Sequence, residues 1–180
     1  MEITPDFIKS LLNPRRKRAE DPEILIPQDM ISGKVVADLG CGVGYYTRYL
    51  AKYAARVFAV DNNQEMLMKA IEVVNDNSVE FIMSDLSHTQ LGTGAIDVVL
   101  LANVFHDMKS EEAVTEIRRI LKGDGTLIII DWKKERTDIG PPYELRMDVE
   151  EYKRYFYGFY TVKVTEASEY QYEIVMKKMA

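Results

Sequence analysis

The chain has few of the residues that build crosslinks and metal sites: one cysteine, Cys41, and two histidines among 180 residues. One cysteine cannot form a disulfide within the chain, which excludes a disulfide framework. Zinc-type metal sites need several cysteines or histidines at short spacings, and two histidines cannot supply them. We therefore expect no bound metal and neither redox nor zinc chemistry.

Long apolar stretches are also missing. No apolar run is long enough to span a membrane, and the N-terminal stretch MEITPDFIKSLL lacks the basic start and apolar middle of a signal peptide. These absences favour a cytoplasmic protein without membrane insertion.

Acidic residues outnumber basic ones, giving a formal net charge of -6 at pH 7. An acidic balance disfavours a broad nucleic-acid surface, because phosphates must be neutralised by lysine and arginine. The exception is a basic run formed by Arg15, Arg16, Lys17 and Arg18. Short charge clusters are usually solvated, so we interpret this run as an exposed helix end or loop.

A chain of 180 residues can build one compact domain with a full core. We predict a single domain over 1–180, in which a segment at 1–32, with a helix from Pro5 to Leu12, precedes a core at 33–180. In the core, short apolar segments alternate with amphipathic ones. The predicted strands are VVADLG (35–40), FAVD (58–61), VEFIMSD (79–85), IDVVLLANV (96–104) and GTLIIIDWK (125–133). The predicted helices are 45–54, 63–74 and 110–122, the last capped by Ser110 and stopped by Gly123.

Strands that are apolar on both faces are typical of a parallel sheet covered by helices, which predicts an open doubly wound α/β fold. The last part of the chain breaks the alternation. A helix from Asp148 to about Tyr155 is followed by YTVKVTEAS (160–168) and YQYEIVMKK (170–178) with almost no spacer. Strands so close can only form a hairpin, so the last one should run antiparallel to the rest.

The stretch ADLGCGVGYYT (37–47) is the first strand-to-helix turn, at the sheet edge where open α/β folds bind ligands. Gly40, Gly42 and Gly44 are spaced G-x-G-x-G, whereas a dinucleotide fingerprint is G-x-G-x-x-G. Asp38 adds an electrostatic argument, since a carboxylate ~4 Å from a ligand charge contributes about 1 kcal/mol in water and several times more in a cleft. It would repel pyrophosphate and attract an ammonium or sulfonium. The loop therefore favours a cationic amino-acid nucleotide over a dinucleotide.

Together these segments resemble the successive motifs of class I S-adenosylmethionine-dependent methyltransferases. The resemblance covers roughly 33–178, and it is carried by VVADLGCGVGYYT, AVDNNQEML, FIMSDL, IDVVLLANVFHDM and RRILKGDGTLIIIDWK in this order. It implies S-adenosylmethionine as cofactor and a Rossmann-like, mostly parallel seven-stranded sheet with an antiparallel last strand. The chain is most similar to the ubiquinone- and menaquinone-biosynthesis type and to the arsenite type, although it lacks the several cysteines of the arsenic enzymes.

The resemblance also implies which residues bind the cofactor. They are Asp38, Gly40, Gly42, Gly44, Asp61, Asn62, Asp85, Leu86 and Asn103. The glycines would lie against the methionine portion, and Asp38 would attract its ammonium group. A purely structural tight turn and a carboxylate that only orders the loop remain alternatives.

The remaining implied contacts concern the nucleoside and the ammonium group. Asp61 would accept both ribose hydroxyls, unless it caps the next helix, a role that Asn62 or Asn63 could also fill. Asp85 would accept from the adenine amino group, and Leu86 would offer its backbone N–H. A surface-exposed strand end is the alternative for Asp85. The backbone carbonyl of Asn103 would receive the ammonium group, with its side chain toward the acceptor.

His106 is the catalytic candidate, because its side chain can accept a proton near neutral pH. The alternative is a histidine that hydrogen-bonds locally and shapes the pocket wall. Tyr45 and Tyr46 could pack in the core or line the pocket. We expect the acceptor walls in the N-terminal segment and in the loop after the fifth strand. The loop candidates are Trp132, Pro141, Pro142, Tyr143, Glu144 and Arg146.

The favoured function is methyl transfer to a small or lipidic acceptor by in-line displacement at the sulfonium methyl. A methyltransferase acting on RNA or protein and a non-catalytic S-adenosylmethionine-binding subunit are the alternatives, and nicotinamide-dependent oxidoreduction is a distant fourth. Nucleic acid is disfavoured as a partner. At this chain length we expect a pocket that is open or mobile, or one that a second subunit completes in a homo-oligomer.

Overall fold

A computed structural model describes residues 5–13 and 16–179. Its centre is a seven-stranded sheet in the order β3-β2-β1-β4-β5-β7-β6. The strands are β1 (Val35–Leu39), β2 (Arg56–Asp61), β3 (Val79–Met83), β4 (Ile96–Ala102), β5 (Leu121–Trp132), β6 (Phe159–Thr165) and β7 (Gln171–Lys178). In the described sheet, β7 runs antiparallel to both of its neighbours, β5 and β6, and the other strand pairs are parallel. The predicted doubly wound, mostly parallel sheet with an antiparallel C-terminal hairpin strand is confirmed.

Helices cover both faces of this sheet. They are α1 (Pro5–Leu11), α2 (Arg16–Ala19), α3 (Pro22–Leu25), α4 (Gln28–Ile31), α5 (Thr47–Leu50), α6 (Gln64–Val74), α7 (Phe105–Met108), α8 (Glu111–Ile120) and α9 (Val149–Tyr155). Side chains alternate between two apolar cores along β4, where Leu101 faces α8 and α9 and Leu100 faces α3, α4 and α5. Burial on both faces is why the strand sequences are almost continuously apolar.

The predicted helix boundaries differ most from the structure at α8 and α5. The N-cap at Ser110 is confirmed, since its hydroxyl accepts from the backbone N–H of Ala113 at 3.2 Å. Gly123 as the helix stop is wrong, because α8 ends at Ile120 and Leu121 already has extended backbone paired with Ile96. The helix predicted over 45–54 is helical only at Thr47–Leu50. It is short because tighter turns follow it, in which Lys52 and Tyr53 donate to carbonyls three residues back.

The crossovers return the chain so that the carboxyl ends of β1, β2 and β4 meet at one edge of the sheet. Strand order reverses between β1 and β4, which is the switch point where open α/β sheets form a ligand crevice. Across 5–13 and 16–179, we find no helix long and apolar enough to span a membrane, and no group of three or more potential ligand side chains that could hold a metal ion.

Candidate active site

A cavity of about 290 Å³ lies at this switch point. The loop after β1, the end of β2 and the turn after β4 form its walls. Six of the residues implied by the sequence resemblance line it: Asp38, Gly40, Gly42, Asp61, Asn62 and Asn103. Gly44, Asp85, Leu86 and His106 lie outside the lining.

Two glycines of the loop, Gly42 and Gly44, are required for different physical reasons. Gly42 has a φ of +53°, and a Cβ there would meet no atom within 4 Å, so it would point into open space beside the cavity. A side chain at Gly42 would therefore occupy the space of a ligand. Gly44 has a φ of +79°, and a Cβ there would come within 2.8 Å of Val74 on α6. Gly44 is a packing position, whereas Gly42 leaves backbone open to the ligand.

Asp61 braces the glycine loop at the end of β2. Its Oδ2 accepts from the backbone N–H of Gly42 at 2.8 Å, and its Oδ1 accepts from that of Asn63 at 2.9 Å. Asn63, not Asp61, caps α6, because the Asn63 side chain accepts from the N–H of Met66. An ionised carboxylate has about four acceptor positions, so Asp61 keeps acceptor capacity on both oxygens for a ligand.

Asp38 is almost fully buried beneath the loop, with 1% of its surface exposed. The Thr47 hydroxyl donates to its Oδ2 at 2.6 Å. Burial raises the pKa of Asp38 to about 7, the Thr47 bond lowers it, and the charge of Asp61 raises it. The cavity therefore holds a carboxyl group that ionises near neutral pH and would gain from a cation beside it.

The basic run behaves differently from the prediction. Arg15 lies outside the described residues, and Lys17 is 55% exposed, as expected for a solvated cation. Arg16 is not solvated: its side chain is 12% exposed, lines the cavity and pairs with Glu20. The prediction of a water-exposed run is wrong for Arg16, because Glu20, four residues later, turns the guanidinium inward.

Glu20 fastens the N-terminal segment to the sheet edge. Its Oε2 accepts from the Tyr46 hydroxyl at 2.9 Å and from the side-chain amide of Asn103 at 2.6 Å. Asn103 also accepts from the Gln171 side chain at 2.8 Å. The Asn103 side chain is thus held within a buried hydrogen-bond network. The Tyr45 hydroxyl adds a bond to the backbone carbonyl of Glu20, while both tyrosines line the cavity.

His106 lies behind the cavity wall. Its Nδ1 is 2.8 Å from a carboxylate oxygen of Asp131, and its Nε2 is 3.7 Å from Asp107. Burial lowers the pKa of His106, but the hydrogen bond and charge of Asp131 outweigh it and raise the pKa above its ordinary value. The geometry agrees with the alternative of a locally bonded histidine. Asp107, the next residue, lines the cavity, whereas His106 does not.

The other residues singled out in the sequence lie outside the lining of the cavity. Asp85 is exposed, and hydrogen bonds from Ser87 and Asn62 lower its pKa. It reaches the cavity only through Asn62, while Leu86 is buried in the core. Arg146 is buried and donates to the backbone carbonyls of Glu135 and Ile139 at 2.6 and 2.8 Å. It organises the loop after β5, and none of the six expected loop residues lines the cavity among the described residues.

Comparison with known proteins decides the family. The family model described as "Methyltransferase domain" matches residues 37–129. The chain belongs to this methyltransferase family.

Two solved structures are similar over nearly all of the methyltransferase. A SAM-dependent methyltransferase from Aquifex aeolicus is 29% identical, with a TM-score of 0.91 over 99% of this chain and 100% of that one. A protein from Sulfolobus solfataricus assigned as a type 11 methyltransferase is 36% identical, with a TM-score of 0.81 over 90% and 94%. The predicted enzyme class and the cofactor, S-adenosylmethionine, are confirmed.

Curated relatives are matched over only part of their length. Phosphoethanolamine N-methyltransferase 1 from Triticum aestivum is 30% identical over 62% of this chain and 24% of its own. The 2-methyl-6-phytyl-1,4-hydroquinone methyltransferase from Synechocystis is 29% identical over 57% of this chain and 33% of its own. The methyltransferase thus spans about a quarter to a third of these relatives.

Sequence reasoning missed the charged residues Arg16 and Asp107, which line the cavity, and Glu20, which pairs with Arg16. The four-residue spacing between Arg16 and Glu20 is a readable signal, because such residues face each other on a helix. Asp107 belongs to the motif VFHDM, in which His106 is the residue whose ordinary pKa lies near neutral pH. The contact of Glu20 with Asn103 joins positions 83 apart in sequence, which no local pattern indicates.

Proposed function

We propose that this methyltransferase transfers the methyl group of S-adenosylmethionine to a small or lipidic acceptor. The main support is that two residues of the N-terminal segment, Leu11 and Arg16, line the cavity together with the glycine loop. The same cavity of about 290 Å³ also has to hold the cofactor, so the space left beside the cofactor suits a small acceptor or a single projecting group. The wheat and Synechocystis relatives are named for small and lipid-like acceptors.

The cofactor-binding roles that we propose are those implied by the sequence resemblance, and the side chains present suit them. Asp38 attracts the ammonium group, and Asp61 accepts from the ribose hydroxyls with its remaining acceptor positions. Gly42 gives the methionine portion access to backbone. Asn62, together with Asp85 beyond it, receives the adenine end, with Leu86 beside them.

The cofactor supplies an activated methyl group on sulfur, so the chain mainly has to bind, align and exclude water. Apolar groups at Leu11, Ala102 and Val104 keep water from the reacting centre. The acceptor proton passes first to Asp107, which faces the cavity, and His106 stands 3.7 Å behind it. Because its pKa is raised, His106 becomes an effective proton acceptor only above that pKa.

The charges that line the cavity favour some classes of acceptor over others. Three carboxylates, Asp38, Asp61 and Asp107, line the cavity, so a phosphate backbone would be repelled there. This supports a small acceptor over RNA. A homo-oligomer and a cytoplasmic location stay part of the proposal.

A turnover screen tests the acceptor class. Purified protein would be incubated with S-adenosylmethionine and panels of phenols and quinols, small amines, RNA and protein, and S-adenosylhomocysteine would be measured. We expect turnover with at least one small or lipid-like acceptor, reduced in Asp107→Asn with unchanged cofactor affinity. Turnover confined to RNA or protein would overturn the proposal. Cofactor binding without turnover by any panel, also with cell extract added, would favour a non-catalytic subunit.

Asp61→Ala is expected to lower the affinity for S-adenosylhomocysteine by roughly 10- to 100-fold, because a hydrogen bond to a charged group contributes about 1.5–3 kcal/mol. Isothermal titration calorimetry measures it. The 2′-deoxy analogue of S-adenosylhomocysteine should bind the natural protein more weakly than S-adenosylhomocysteine does. For Asp61→Ala this difference should be much smaller, because the carboxylate that accepts from the 2′-hydroxyl is already absent.

Asp97→Asn is the matched control for Asp61→Ala. Asp97 also accepts a backbone N–H, that of Val35 at 2.9 Å, but at the opposite edge of the sheet. Its replacement should leave cofactor affinity within about twofold. Unchanged affinity in Asp61→Ala would contradict the ribose assignment.

A further inference from the structure

The charges around the cavity are unequal in number. Among the described residues that line it, the three carboxylates face a single cation, Arg16. The amino-acid end of S-adenosylmethionine carries an ammonium group, a neighbouring sulfonium and one carboxylate. The acids of the cavity can serve the two positive groups. The carboxylate of the cofactor needs a donor of positive charge, and Arg16 is the side chain available.

Arg16 is held in a fixed orientation. Its guanidinium lies over the ring of Tyr45, 4.1 Å from the centroid, which adds a cation–π contact. Glu20 receives two of its N–H groups, through Nε and Nη2, and the carbonyl of Leu11 receives one from Nη1 at 3.3 Å. A guanidinium has five N–H groups. Within the described part of the chain, these bonds leave one N–H on each terminal nitrogen for a further partner.

Two N–H groups on the terminal nitrogens suit a carboxylate, which arginine can bind in a bidentate manner. The position is also suitable, because Arg16 and Asp38 line the same cavity and their charges interact. In an amino acid the ammonium and carboxylate groups share one carbon, so their partners must be neighbours.

We propose that Arg16 binds the carboxylate of the cofactor's methionine portion, so that Arg16 and Asp38 together recognise its zwitterionic end. The N-terminal segment then takes part in cofactor binding as well as in enclosing the acceptor. The proposal depends on the cofactor and on the site of Asp38, and it is independent of the acceptor.

The test compares two ligands that differ only in this carboxylate: S-adenosylhomocysteine and its decarboxylated analogue, S-adenosyl-3-thiopropylamine. Calorimetry on the full chain should show that the natural protein prefers S-adenosylhomocysteine by about 10- to 100-fold. In Arg16→Met this preference should fall to less than about threefold. A purely structural role of Arg16 would weaken both ligands equally and leave the preference intact, which would overturn the proposal.

A second variant guards against a folding defect. Arg16→Met leaves the buried Glu20 carboxylate without its ion-pair partner, so the double variant Arg16→Met/Glu20→Gln removes both charges together. It should show the same lost preference. Lys17→Met is the control, because Lys17 follows in the same helix but pairs at the surface with Asp21 and lies outside the cavity lining. It should keep the natural preference. If the natural protein binds neither ligand, the cofactor site is wrong and the proposal about Arg16 falls with it. If the natural protein binds both ligands equally well, only the role of Arg16 is overturned, and the acceptor screen is unaffected.

Discussion

Asp38→Asn is expected to stabilise the ligand-free protein at pH 8 and to weaken cofactor binding. Burial raises the pKa of Asp38 to about 7, above the ordinary value of 3.8 that applies to the unfolded chain. As pH rises from about 4 to about 7, the unfolded state therefore loses its proton first, and the folded state loses stability. Asparagine cannot ionise, so the variant avoids this loss.

Thermal unfolding without ligand measures the effect. The melting temperature of Asp38→Asn should exceed that of the natural protein by several degrees at pH 8, since 1 kcal/mol corresponds to about 2–4 °C at this size. The difference should shrink on going down to pH 4. Asp97→Asn is the control with opposite sign. Burial raises the pKa of Asp97, but bonds from Lys122 and Val35 bring it below the ordinary value, so its loss should destabilise the protein at pH 8.

Cofactor binding should depend on the same ionisation of Asp38. A cofactor ammonium beside Asp38 favours the ionised form, so binding between pH 5 and 7 should release protons. The affinity of the natural protein should then rise with pH up to about 7 and level off, whereas Asp38→Asn should bind weakly at every pH. Calorimetry in buffers of different ionisation enthalpy detects the released protons. A variant that binds as tightly as the natural protein would show that Asp38 only orders the loop through Thr47.

The features that were predictable from the sequence depend on local pattern. Runs such as IDVVLLANV are apolar on both faces because β4 has helices above and below it. The burial of both faces therefore shows directly in the sequence as a nearly continuous apolar run. The glycine loop and Asp61 were located because strand ends in a parallel sheet share one edge. The antiparallel last strand followed from the short spacer before YQYEIVMKK.

The features that were missed depend on contacts between distant positions. Arginine is usually a surface residue, so Arg16 was predicted to be exposed. Its ion pair with Glu20, which is held in turn by Asn103 and Tyr46, places it at the cavity. His106 likewise appeared as a base because its motif ends β4. Its partner Asp131 comes from the end of β5, and the neighbouring strand places the two together. A buried charge is specified by its partner, and that partner can lie anywhere in the chain.

Asp131→Asn is expected to destabilise the protein, and more at pH 6 than at pH 8.5. Asp131 is 2% exposed and accepts from His106, from the backbone N–H of Trp132 at 2.7 Å and from the Tyr152 hydroxyl. Burial lowers the pKa of His106, and Asp131 more than compensates, so protonated His106 contributes stability below pH 6.5 that is lost as pH rises through the raised pKa. Removing one partner of a buried ion pair costs about 3–5 kcal/mol.

Urea unfolding at both pH values measures this difference. At pH 6 the variant should lose about 3–5 kcal/mol, whereas at pH 8.5, where more of His106 is neutral, the loss should approach that of a hydrogen bond, about 1–3 kcal/mol. Tyr152→Phe removes a bond to the same carboxylate without changing charge, so its smaller cost should be equal at the two pH values. Cofactor affinity should persist in both variants, because neither Asp131 nor Tyr152 lines the cavity. An equal loss of only about 1–3 kcal/mol for Asp131→Asn at both pH values would mean that His106 is neutral throughout, and His106 would then again be a candidate base for the acceptor.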